Sequence, residues 1–201
     1  MPLESKTWSL DRKLMKIAKI VSGLSIASLL SLGFISVPDV SYASPGDSSC
    51  DLSSGDGSSG SPYLLSTEQD LFEMVDCIHA STSNNFFKLT NDIHINSPWT
   101  SFDLDGLGSS GAGFDGAGFT ISGLSSSSSS NNGLFSTVYR SVIKNLYLEV
   151  GSVSGSNVGA LARVVGADST VTNVHVRAKG DITGTENTGG VFGDVSSARA
   201  V

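Results

Sequence analysis

Two short phrases recur in order through the second half of this chain of 201 residues, and a fold that ignores them is excluded. Thr120-Ile121-Ser122-Gly123, Ser152-Val153-Ser154-Gly155 and Asp181-Ile182-Thr183-Gly184 end in glycines 32 and 29 residues apart. Gly133-Leu134-Phe135, Gly159-Ala160-Leu161 and Gly190-Val191-Phe192 follow them, spaced by 26 and 31 residues. Such periods belong to solenoids. A third phrase precedes them, Ser141 to Leu148 aligning with Ser169 to Val176. Leu146, Leu148 and Val150 in one copy, and Val174, Val176 and Ala178 in the other, alternate with polar residues, which on a strand sends them to one face.

One such unit has two or three short strands and cannot bury its apolar face alone, so neighbouring units stack and share a core. The expected fold is all-β, a right-handed parallel β-helix. Its repeat-defining positions are Gly123, Gly133, Gly155, Gly159, Gly184 and Gly190, with Asn145 and Asn173. Glycine suits corners that need a positive φ, and asparagine tolerates the left-handed conformation and forms ladders with its equivalents one coil away. A β-sandwich predicts turn signals every 8–12 residues and gives no reason for the phrases to recur together.

Residues 62–192 resemble bacterial GLUG-repeat proteins. The likeness rests on Pro62-Tyr63-Leu64-Leu65-Ser66-Thr67 leading into a helix, Phe87-Lys88-Leu89-Thr90-Asn91-Asp92-Ile93, Phe114-Asp115-Gly116 through Thr120 to Leu124, and the Gly-Leu-Phe phrases. Ala160 and Arg163 depart from the glycines usual in Val-Gly-Gly-Leu-Ala-Gly, and Phe119 stands where histidine is common. The resemblance implies a surface-exposed, adhesin-like or protease-associated protein.

The N-terminus has the form of an export signal: Lys6, Arg12, Lys13, Lys16 and Lys19 precede an uncharged run from Ile20 to Pro38, then Ser41-Tyr42-Ala43. Cleavage is expected after Ala43, making residues 1–43 a signal peptide. An uncleaved anchor is the competing reading, although five serines and two glycines dilute the run. Beyond it lie 158 residues with 7 Lys/Arg against 16 Asp/Glu, a net charge of −9. That sign repels phosphates and anionic headgroups, which argues against nucleic acid and against membrane attachment after cleavage. Cys50 and Cys77 both fall in the exported part, where an oxidising environment lets them pair.

Residues 44–61, rich in Ser, Gly and Asp, are expected to form a flexible linker. Ser66 and Gln69 make a capping-box pattern ahead of Leu71, Phe72, Met74, Val75 and Ile78, predicting an amphipathic helix over 66–79 that covers the first coil. Coils are expected from residue 86 onward within a domain spanning 62–201. Phe87, Leu89, Ile93 and Ile95 should point inward and Lys88 and His94 outward. Residues 96–113 read as a loop, and the serine run Ser125 to Ser130 as a surface excursion. The array stops before any equivalent of the Ile143 to Leu148 strand, so the last coil is expected to be incomplete and the sequence a truncated array.

No catalytic, cofactor or metal site emerges. Asp103, Asp105 and Asp115 are the one close carboxylate cluster, but Asp105-Gly106 and Asp115-Gly116 are ordinary turn pairs without an apolar pocket to raise a pKa. His79, His94 and His175 form no constellation with a nucleophile. Cys77 and His79 lack a second pair at ligand spacing. The expected function is a secreted or cell-surface, non-catalytic module binding glycans or surface proteins. The alternative is an accessory or catalytic part of an extracellular polysaccharide-degrading enzyme or protease.

Overall fold

The computed structural model describes residues 50–80, 85–105, 111–127, 131–196 and 199–200. The export signal expected over 1–43 and linker residues 44–49 lie outside these. The described chain is a parallel β-solenoid of about four coils behind a capping segment, formed by β1 (Tyr63–Leu65) and helix α1 (Glu68–Ala80). Coil 1 contains β2 (Asn85–Leu89), β3 (Ile93–His94) and β4 (Phe102–Asp105). Coil 2 contains β5 (Ala112–Asp115), β6 (Thr120–Ser127), β7 (Asn131–Asn132) and β8 (Phe135–Tyr139). Coil 3 is β9 (Ser141–Gly155), β10 (Asn157–Gly159) and β11 (Ala162–Val165). Coil 4 is β12 (Thr170–Ala178), β13 (Ile182–Gly184), β14 (Thr188–Gly189) and β15 (Phe192–Val195), after which β16 (Arg199–Ala200) pairs with β12.

Every pairing between these strands is parallel, in three ladders: β1-β2-β5-β9-β12-β16 with the branch β3-β6-β9-β13, then β7-β10-β14, and β4-β8-β11-β15. Residues one coil apart therefore lie side by side, and the alternation read from the sequence becomes columns. Phe87, Phe114, Ile143 and Val171 stack in register, each at most 8% exposed. Lys88 and His94 face solvent as the alternation requires, while Phe87, Leu89, Ile93 and Ile95 are buried. Fully burying each Leu, Ile or Phe contributes about 1.5–3 kcal/mol, available only because the next coil supplies the other wall.

The corner asparagines behave as expected. Asn145 and Asn173 sit at φ 53° and 51°. Asn173 Nδ2 donates to Asn145 Oδ1 at 2.9 Å, and Asn145 Nδ2 donates to Asp115 Oδ1 at 3.1 Å. The glycines depart from expectation in three ways. Gly123 does adopt φ +78°, and a Cβ there would meet the Ile95 carbonyl. Gly159 and Gly184 lie outside the left-handed region and are needed for space instead, a side chain at Gly159 colliding with the carbonyl of Ala162 and one at Gly184 with the side chain of Thr188. Gly189, not Gly190, stacks on Gly159. The three Gly-terminated phrases are not all equivalent either. Gly155 and Gly184 are in register, but Ile121 pairs with Leu148, so the segment opposite Val153 and Ser154 is Ser126–Ser127. The serine run is thus partly strand, with Ser126 buried, and residues 128–130 lie outside the described set.

Three further expectations are corrected. The helix begins two residues later than expected because Thr67, not Ser66, caps it. Asp70 N donates to Thr67 Oγ1 at 3.2 Å, and Asp70 Oδ2 accepts from Ser66 N at 2.7 Å, Ser66 Oγ at 3.0 Å and Thr67 N at 3.0 Å. Asp fills the acceptor role assigned to Gln69. The expected loop over 96–113 contains β4 and the start of β5. The linker is bound over residues 50–61: Leu52 is 9% exposed, the Ser54 carbonyl accepts from Leu64 N at 3.1 Å, and the Gly57 carbonyl accepts from Phe86 N at 3.0 Å. Its backbone continues the sheet edge where its composition offers little to bury, and a Cys50–Cys77 disulfide ties it to α1. Leu71, Met74, Cys77 and Ile78 of α1 join the core, closing the coil 1 end.

At the other end coverage falls away. Leu146 and Leu148 are fully buried, whereas Val174 and Val176, their partners in coil 4, are half-buried and Val195 is 50% exposed.

Replacing Gly189 by Ala should lower stability by about 1–3 kcal/mol through collision with the Phe192 carbonyl, while Gly190→Ala, which meets nothing, should stay within about 0.5 kcal/mol. Urea unfolding of the two variants checks this contrast. Reduction of the disulfide should cost about 3 kcal/mol on the chain-entropy account for a separation of 27 residues, measured as a drop in the urea midpoint with dithiothreitol.

Candidate binding cleft

Chain length between two ladders creates a concavity on the flank of coils 1 to 3. From Ile93 to its neighbour across the coil, Phe102, coil 1 advances 9 residues; from Ile121 to Phe135 coil 2 advances 14; from Leu148 to Ala162 coil 3 also advances 14. Coil 1 is five residues short and cuts inside the path of the other two. A step remains on the outer surface, a cleft of about 790 Å³ lined by Asn96 to Ser101, Gly123, Ser125 to Ser127, Asn132, Ser136, Ser152 and Ser154.

The short cut is held by side chains where a backbone ladder is missing. Trp99 Nε1 donates to the Leu134 carbonyl at 2.9 Å, and the Ser101 hydroxyl donates to the Gly133 carbonyl at 2.6 Å while accepting from Gly133 N at 3.0 Å. The Ser126 hydroxyl faces two acceptors, Asn132 Oδ1 at 2.6 Å and the Trp99 carbonyl at 3.1 Å. Asn132 Nδ2 in turn donates to the Ser154 carbonyl. Trp99 is only 4% exposed, its ring 5.4 Å from Phe72 and 5.7 Å from Phe102. The floor is therefore a hydrogen-bonded network, and the walls present hydroxyls: Ser97, Thr100, Ser125, Ser127 and Ser152 are exposed. No side chain in the lining is ionisable. Neutral donors and acceptors in a preformed concavity suit an uncharged polar ligand.

The residues tested for chemistry lie elsewhere and do not converge. Asp103 is exposed, and Asp105 pairs with Arg140 at 3.2 Å. Burial works against ionisation of Asp115, but the amide of Ala117, the Asn145 side chain and the Lys144 ammonium at 3.4 Å outweigh it and hold its pKa below the ordinary 3.8. That is the wrong direction for a general acid. His94 Nδ1 meets Ser122 Oγ at 2.9 Å on the outer face, His175 stacks on Tyr147 at 4.8 Å, and His79 lies in the last turn of α1. Among the described residues no three His, Cys, Asp or Glu side chains converge, and no helix is long and apolar enough to cross a membrane. Of the repeat-defining glycines and asparagines only Gly123 borders the cleft. Trp99, Ser126 and Asn132 escaped sequence reasoning. The signal that would have found them is the unequal spacing between aligned strands.

The chain matches no protein-family model, no curated protein and no solved structure. What places it is its geometry: an all-β parallel β-helix with a neutral, hydroxyl-lined step on one flank.

One wall is pinned by Glu68 of α1. Desolvation opposes its charge, but Ser97 N at 2.8 Å, Asn96 N at 2.9 Å and the Asn96 amide at 3.3 Å prevail and lower its pKa from 4.5. Glu68 and Asp115 both have folded-state pKa values below their unfolded ones, so their contribution is complete above about pH 4.5 and is lost as pH falls through the lowered values. Urea midpoints should hold steady from neutrality to about pH 4.5 and decline below, and the Glu68→Gln, Asp115→Asn double variant should flatten that acid decline.

Proposed function

We propose that this chain is a secreted or cell-surface, non-catalytic binding module of adhesin-like type, related in plan to GLUG-repeat proteins, with the step in coil 1 as its ligand site. The export-signal pattern over residues 1–43 supports secretion, and the acidic balance of the remainder supports a soluble surface that avoids nucleic acid and anionic membranes. The observation that carries the reading is the cleft itself: a preformed concavity whose lining is wholly neutral and rich in hydroxyl and amide groups. Such a lining can hold a partner by hydrogen bonds but has no group to move a proton at neutral pH. The cluster of carboxylates that would serve a degradative enzyme is split, Asp105 and Asp115 each bound to its own cation. Glycans and surface proteins are the partner classes that such a surface serves.

The chain recovered after export should begin at Ser44 and should be retained on immobilised extracellular glycans or surface proteins. Ser125→Trp, which fills the cleft from an exposed strand position, should reduce that retention at least tenfold with an unchanged circular dichroism spectrum. Retention indifferent to the tryptophan, or absent from every surface tried, would defeat the proposal.

A further inference from the structure

The cleft has the shape of a missing strand. In coils 2 and 3 the extra five residues carry the backbone outward, and β6 pairs with β9 as far as Ser127 while β7 pairs with β10. On the side facing coil 1, β6 is paired only through Ile121 and Ser122 with β3, with one further bond from Ile95 N to the Ser122 carbonyl at 2.8 Å. From Leu124 to Ser127 that edge meets no strand among the described residues. Coil 1 passes beneath it along a shorter path, where the Ser126 hydroxyl donates to the Trp99 carbonyl, while the Trp99 and Ser101 side chains reach past it to the carbonyls of Leu134 and Gly133. Among the described residues the ladder is thus interrupted here, and the interruption opens directly into the cleft.

The geometry points to an extended polypeptide segment of a partner protein as the ligand, seated along the exposed edge of β6 in the place of the absent stretch of coil 1. This inference rests on the cleft being the binding site and names the class of partner. Five residues in extended form span about 17 Å, and backbone hydrogen bonds to a free sheet edge supply affinity without regard to side-chain identity. The walls are Ser, Thr, Asn and Gly, small enough to admit a second backbone, and their neutrality favours a segment of small uncharged residues. A glycan is the weaker fit. Sugars gain from an exposed aromatic face, and the one aromatic side chain in the lining, Trp99, is buried between Phe72 and Phe102 with its indole N–H already engaged.

A synthetic heptapeptide Val-Gly-Ser-Val-Ser-Gly-Ser, copying residues 150–156, is a suitable probe because Val153 and Ser154 already lie beside Ser126 and Ser127 on the opposite edge. Titrated into the ¹⁵N-labelled mature chain, it should shift the amides of Thr100, Ser125 and Ser127. The same peptide N-methylated at alternate residues should bind at least tenfold more weakly, and Ser125→Trp should abolish the shifts. Methylation affects only the ligand, so this comparison survives a variant that folds poorly. Equal binding of the methylated peptide, shifts away from the cleft, or displacement by a neutral oligosaccharide would overturn the inference. Surface retention that persists while no peptide binds removes only this inference, whereas loss of both removes the binding-module reading too.

Discussion

The parallel backbone ladder between consecutive coils is the interaction on which the rest depends. Each strand is too short to bury its own apolar side, so Phe114 is covered by Phe87 on one side and Ile143 on the other, and the same holds for Leu148 between Ile121 and Val176. Backbone hydrogen bonds set the spacing, and that spacing lets apolar side chains of successive coils meet. The corners obey the same rule, because Asp115, Asn145 and Asn173 can form a hydrogen-bonded column only when each lies directly above the last.

A ladder of this kind must begin and end somewhere. At the start, α1 lays Leu71, Met74 and Ile78 over the first strands, and Glu68 takes up amides of Asn96 and Ser97 that no strand reaches. The disulfide and the bound segment around Leu52 and Gly57 extend this closure. Toward coil 4 burial declines along the apolar columns, from Leu146 and Leu148 to Val174 and Val176 and from Val165 to Val195. The interior is therefore best packed in coils 2 and 3, and those two coils form the wall against which the cleft is cut.

The cleft follows from the shorter path of coil 1 between the two ladders. A deficit of five residues in coil 1 leaves the flanking sheets parallel and paired, with a register shift between Phe102 and Leu104, and Trp99, Ser101 and Ser126 supply side-chain hydrogen bonds where the backbone ladder is missing. It also leaves a recess bordered by a strand edge that meets no strand among the described residues.

Much of the architecture was legible from spacing alone. The alternation in Ile143 to Val150 and Thr170 to Ala178 specifies strands and their inward faces, and aligning the two copies yields their pairing residue for residue. Asn145 and Asn173 announce the corners because few other residues adopt the left-handed conformation at low cost. Other positions were not legible. Gly190 looks as suitable as Gly189, and only the close approach of the Phe192 carbonyl separates them. Thr120 to Gly123 looks equivalent to Ser152 to Gly155, yet it stacks one segment earlier because register is decided by the whole coil and not by a four-residue phrase. Ser126 is a serine among serines until the ladder turns it inward. The sequence by itself thus determined that strands form, which faces they bury and that they stack, because those follow from local periodicity. Only the tertiary structure decided which residues become neighbours across coils of unequal length, and so where the cleft opens, because that depends on differences in path length between segments far apart in the chain.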